Sequence, residues 1–141
     1  KEDYISIPNF ESHRKSNFGL MTIGGKSNYF REKINIKRFD NLNFDFKEED
    51  VIFVKIDVEG YEYNTLLGML NFLKKYNNIF LRIEINKNYN NEKKIIETIN
   101  LLGQFNFSFF MIKNKKLLQM QEKILVDCLV KNTEDIFCKK L

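Results

Sequence analysis

One stretch, residues 51–73 (VIFVKIDVEGYEYNTLLGMLNFL), constrains this chain more than any other. Val51-Ile52-Phe53-Val54-Lys55-Ile56 is almost continuously apolar and β-branched, as in a strand buried on both faces of a parallel sheet. Asp57-Val58-Glu59-Gly60 interrupts it with two carboxylates and a glycine suited to a tight turn. Tyr63, Leu66, Leu67, Leu70 and Leu73 then recur at three- and four-residue spacing, the apolar stripe of an amphipathic helix. The pattern predicts strand, acidic turn, helix, and with it an α/β fold. In open α/β sheets ligands bind beyond the carboxyl ends of the strands, which is where Asp57 and Glu59 fall. Acidic side chains at a helix N-terminus are favoured by its free N–H groups and dipole. That accounts for Glu62 without any ligand. It accounts less well for Asp57, which ends a buried strand and must find partners or solvent.

The rest of the chain extends this unit. Asn77-Asn78 closes the helix, since Asn tolerates the left-handed backbone used there. Residues 79–85 (IFLRIEI) read as the next strand, with Arg82 and Glu84 on one face, toward a polar crevice or an ion pair. Residues 89–103 read as a second amphipathic helix, capped by Asn90 or Asn91 and ended by Gly103, with Ile95, Ile96, Ile99 and Leu102 inward. A strand at 105–113, a turn at Asn114-Lys115-Lys116 and a last strand at 124–130 (ILVDCLV) suggest an antiparallel pair at a sheet edge, with 117–123 undecided. Before the core, residues 1–31 read as loops with one short strand at 20–23. Residues 32–40 read as a half-exposed strand, and 41–50 as a polar connector. The expected organisation is a single partial domain over 1–141, with 1–50 made of loops and short strands and 51–141 the core.

Composition narrows the function. The net charge of +4 comes from 23 basic and 19 acidic residues, interspersed and without an arginine-rich stripe. This argues against nucleic acid as a partner. Phe107, Phe109 and Phe110 lie in an apolar strand and read as core rather than a base-stacking platform. No apolar run approaches the roughly 20 residues of a membrane span, and the first residues are no signal peptide. The expectation is a cytoplasmic chain with no membrane partner. Two cysteines and one histidine give neither a disulfide framework nor a zinc ligand set; Cys128 reads as a small buried residue. Asp57, Glu59 and Glu84 are oxygen donors of the type Mg²⁺ uses. No third-ligand spacing supports a site, so no metal is expected.

Lys55-Ile56-Asp57-Val58-Glu59-Gly60-Tyr61-Glu62, followed by Leu66-Leu67-Gly68, resembles the signature of the FkbM family of S-adenosylmethionine-dependent methyltransferases. The resemblance implies a Rossmann-like class I methyltransferase sheet ending in an antiparallel pair. It implies catalytic roles for Asp57 and Glu59, and cofactor contacts from Asp57, Gly60 and the Asn17-Phe18-Gly19 step through Asn17 and Gly19. It also places Glu62 and Glu84 on the substrate side. Phe39-Asp40 fits the family's Leu-Asp pair loosely. The family's strand of Glu84 is often followed by His, where this chain has Asn86. The reaction implied is O-methylation of a hydroxyl on a sugar or other small acceptor, with S-adenosylmethionine as cofactor.

The resemblance covers about Asn17 to the end. A glycine-rich turn after a first strand, with an acidic residue about 20 positions on, is not found before Val51, and residue 1 is Lys. The expectation is therefore a fragment whose N-terminal cofactor-binding half is missing. The alternative is a non-catalytic truncated remnant or a subunit completed by a partner. A nucleic-acid-binding module has only the net charge behind it.

Overall fold

The structure is a computed structural model that describes residues 3–8 and 31–141. Asn17, Gly19 and the strand expected at 20–23 lie outside the described residues. The first element, β1 (Asp3–Pro8), pairs antiparallel with β2 (Arg31–Ile36), Ile5 opposite Ile34. The alternation of Ile5 and Ile7 before Pro8 is a strand that the sequence reading took as loop. β2 ends at Ile36, and Phe39–Asn41 is a single 3-10 turn rather than the end of that strand.

The core is a five-stranded mixed sheet with helices. In chain order it contains β3 (Ile52–Ile56), α1 (Glu62–Leu67), α2 (Leu70–Lys75), β4 (Ile79–Ile85) and α3 (Glu92–Gln104). Then follow β5 (Phe107–Lys113), β6 (Lys116–Met120), α4 (Glu122–Lys131) and β7 (Glu134–Lys140). The strand order is β3-β4-β7-β5-β6. β3 and β4 are parallel, Ile52 opposite Ile79 and Ile56 opposite Ile83. β7 runs antiparallel between β4 and β5.

The helix expected over Tyr63 to Leu73 is broken in two, and the break has a specific cause. The 3-10 turn inserts there. Arg38 donates to the Leu67 carbonyl at 2.9 Å and the Asp40 amide to the Gly68 carbonyl at 2.9 Å, closing α1. The Asp40 carboxylate accepts from the amides of Asn71 at 3.1 Å and Phe72 at 2.9 Å, capping α2 from outside the helix. Free amides at a helix start need such an acceptor. Phe39 stacks on Phe44 and meets Phe72 edge-on, fastening the turn.

Four other expectations are corrected. Residues 124–130 form α4, not the last strand: Leu125 and Leu129, one helical turn apart, are fully buried while Ile124 is 52% exposed. The last strand is β7, and the antiparallel edge pair is β5–β6. Neither Asn77 nor Asn78 has the left-handed backbone; Tyr76 closes α2 in an extended conformation. α3 passes Gly103, and Asn106 supplies the left-handed residue (φ 60°), while Ile96 faces solvent. The cysteines exchange roles: Cys138 is buried on β7 and Cys128 is half-buried on α4.

One sheet face is dry. Ile56, Ile83 and Ile136 lie side by side across β3, β4 and β7, as do Leu81, Cys138 and Phe109 across β4, β7 and β5. They join one core with Leu66, Leu73, Ile95, Ile99, Leu102, Leu125 and Leu129 from the helices. Asn91 starts α3, its side chain accepting from the Lys94 amide. The other face is open among the described residues. There β3 pairs with β4 alone, and Phe53 is 63% exposed, so β3 is not the doubly buried strand its sequence suggests.

Candidate active site at the end of β3

β3 ends at Ile56, and the chain turns through Asp57 to Tyr61 into α1. Two consecutive residues take positive φ: Glu59 (47°) and Gly60 (95°). A left-handed non-glycine residue costs roughly 1–2 kcal/mol, so the turn is held by its surroundings. The second position requires glycine, because a Cβ there would lie 2.8 Å from the Tyr89 Cβ and 3.0 Å from its carbonyl oxygen. Lys94 Nζ of α3 donates to the Gly60 carbonyl at 3.2 Å. Glu62 Oε1 accepts the Gly60 N–H at 3.0 Å.

The turn presents carboxylates beside the open face. Asp57 follows Ile56 and Glu84 follows Ile83, its strand neighbour, while Glu84 stands opposite Asp135 of β7. Asp57, Glu84 and Asp135 therefore form a row across three strands. Behind it stand two cations. Lys55 Nζ lies 2.8 Å from Asp57, and Arg82 grips Asp135 with two bonds of 3.0 and 2.6 Å. Of the two alternatives for the face of Arg82 and Glu84, a polar crevice or an ion pair, Arg82 makes the ion pair, with Asp135 as partner. Glu84 has no ion-pair or hydrogen-bond partner among the described residues. Its pKa is raised above the ordinary value of 4.5, first by burial and then by the charges of Asp57, Asp135 and Glu59, against a smaller opposing effect of Lys55. Asp135 holds the Arg82 guanidinium in its charged form.

Asn86 ties the site together. Its amide donates to Glu59 Oε2 at 3.3 Å, and its carbonyl oxygen accepts from the Asn88 amide and the Thr133 hydroxyl. Asn86 thereby joins the ends of β3, β4 and β7.

The structure therefore brings Asp57, Glu59, Gly60 and Glu84 together. Glu62 is adjacent but faces inward, 1% exposed. Sequence reasoning did not pick out Asp135, Thr133, Tyr89 or Lys94. The only available signal was Asp135 in EDIFCKK, and that segment was not recognised as a strand. No three His, Cys, Asp or Glu side chains among the described residues are arranged to hold a metal ion. Two clefts among the described residues, of about 220 and 240 Å³, lie away from this turn. Phe44 and Phe72 line one, and Phe46, Asn77 and Asn78 the other.

A family model described as Methyltransferase FkbM domain matches residues 4–111. The match starts before Asn17 and takes in β3, the acidic turn and β4, stopping short of β6, α4 and β7. No curated protein and no solved structure matches the chain. With the acidic turn inside a match that spans most of its length, the chain belongs to the FkbM methyltransferase domain family.

Proposed function

We propose that this chain contributes the methyl-transfer side of an S-adenosylmethionine-dependent O-methyltransferase acting on a hydroxyl of a sugar or other small acceptor in the cytoplasm. The observation that carries the reading is the charge of the carboxylate row. Among the described residues Asp57 is paired with Lys55 and Asp135 with Arg82, while Glu84 has no ion-pair partner, which leaves one negative charge in excess, and Glu59 adds a second. A donor set of this kind fits S-adenosylmethionine, whose sulfonium and ammonium groups are both cationic.

When bound, that cofactor supplies an electrophilic methyl group. The protein's part is then alignment and proton removal. Asp57 and Glu84 would hold the cationic end and accept the hydroxyl proton. Glu84 is the better proton acceptor of the two, because it lacks a cationic partner and its pKa is raised. Glu59, fixed by Asn86, would orient the acceptor. Asn17 and Gly19 are the further candidates for cofactor contact. No described residue forms the glycine-rich turn that would take the adenosine half.

The second reading, a subunit or remnant completed by other polypeptide, is favoured by the open edge of β3 with Val51 69% and Phe53 63% exposed. Among the described residues no helix is long and apolar enough to cross a membrane. Equilibrium dialysis separates the readings. Saturable S-adenosylmethionine binding supports the enzyme. Salt-sensitive DNA binding would support a nucleic-acid module, and neither supports the remnant.

A further inference from the structure

We propose that Glu62 is a positioning residue, which holds Asp57 and Glu59 in working orientation from inside the fold and does not touch the ligand. The inference rests on the methyltransferase reading for what the turn does, but not for how the turn is held.

Glu62 is 1% exposed, so its carboxylate does not face a ligand on the open surface. Its side chain folds back two residues, and Oε1 accepts the Gly60 N–H at 3.0 Å. The positive φ values of Glu59 and Gly60 turn that amide inward, to a place where Gly60 is itself buried. Without Glu62 the amide would be a buried donor with no acceptor, and the turn would gain by flipping it toward water. Relaxation of the left-handed Glu59–Gly60 turn would loosen the contact of Glu59 with Asn86 and, with it, the acidic turn that begins at Asp57. Lys94 holds the other side of Gly60 through its carbonyl, so both polar groups of that residue are bound by side chains.

The second oxygen argues against simple packing. Glu62 Oε2 is buried with no hydrogen-bond partner among the described residues. Such an orphan lowers stability. An apolar side chain of the same size would fill the position without it, and only the acceptor on Gly60 distinguishes glutamate there.

The test uses Glu62→Met, which keeps the volume and removes the acceptor, and Glu62→Gln, which keeps an acceptor and removes the charge. Thermal unfolding, hydrogen exchange of the Gly60 amide and dialysis of S-adenosylmethionine are measured on the full chain, with Leu125→Ala as a destabilised control remote from the turn. Glu62→Met should exchange the Gly60 amide about tenfold faster and bind S-adenosylmethionine about tenfold more weakly. Glu62→Gln and the control should keep both near wild type. Unchanged Gly60 exchange in Glu62→Met overturns the proposal. So does an equal loss in Glu62→Met and Glu62→Gln, which would make the charge rather than the clamp responsible. If wild type binds no S-adenosylmethionine, the cofactor reading falls, and Gly60 exchange still decides the clamp. If Glu62→Met does not fold, loss of Gly60 protection in Glu62→Gln overturns the proposal and its retention supports it.

Discussion

At Gly60 two demands coincide, a φ of 95° and contact with the Tyr89 backbone. Gly60→Ala would add left-handed strain and push a methyl against Tyr89, and is expected to destabilise by about 2–4 kcal/mol in urea unfolding. Glu84 gives a pH dependence. Its folded pKa lies above the ordinary 4.5, so the folded state binds the extra proton, and stability falls as pH rises from that value through the raised one. Glu84→Gln should remove this fall and raise the melting temperature at pH 7 relative to pH 4; an unchanged pH profile would contradict it. Burial pushes the Cys138 thiol pKa up, whereas Cys128 is half-buried. Iodoacetamide should label Cys128 first in the folded chain. The acidic turn was legible at this scale as a turn, because two carboxylates and a glycine interrupt an apolar strand just before a helical stripe. The inward aim of Glu62 was not, since sequence does not say which way a first-turn glutamate points.

The elements show where local pattern and tertiary packing part company. ILVDCLV satisfies a strand and a helix equally, and α3 decides by packing against α4. EDIFCKK carries charge at most positions, yet Ile136 and Cys138 alternate inward between two strands. A run so rich in charge gives little sign of being central, and it takes its place through Arg82–Asp135 and two flanking ladders. The α1–α2 break was illegible for a related reason, because its cause sits about thirty residues upstream. Asp40→Ala should cost about 1–2 kcal/mol, since it frees two helix amides. It should leave ligand binding at the acidic turn unchanged; a variant with wild-type urea stability would show that the cap is idle.

Over the whole molecule, the dry face of the sheet carries the helices and the other carries half-exposed Phe80, Phe110 and Phe137 with the charged row. Arg82 lies over Phe137 and Lys139 over Phe80, so cations cover part of the aromatic surface. Phe53, on β3 at the sheet edge, has no such cover among the described residues. Exposed apolar edge strands pair with other chains, and light scattering should show association that Phe53→Lys reduces. The α/β class was legible from the strand–turn–helix pattern. The strand order was not, because β7 reaches its place from the far end of the chain.

The central claim is that the acid row at the end of β3 and β4 holds a cationic methyl donor. Equilibrium dialysis of S-adenosylmethionine against wild type and the Asp57→Asn/Glu84→Gln double variant tests it most directly. The account predicts saturable binding that weakens at least about tenfold, or roughly 1.4 kcal/mol, in the double variant while its fold is retained. Undiminished binding in that variant, or no saturable binding by the wild-type chain, would contradict it.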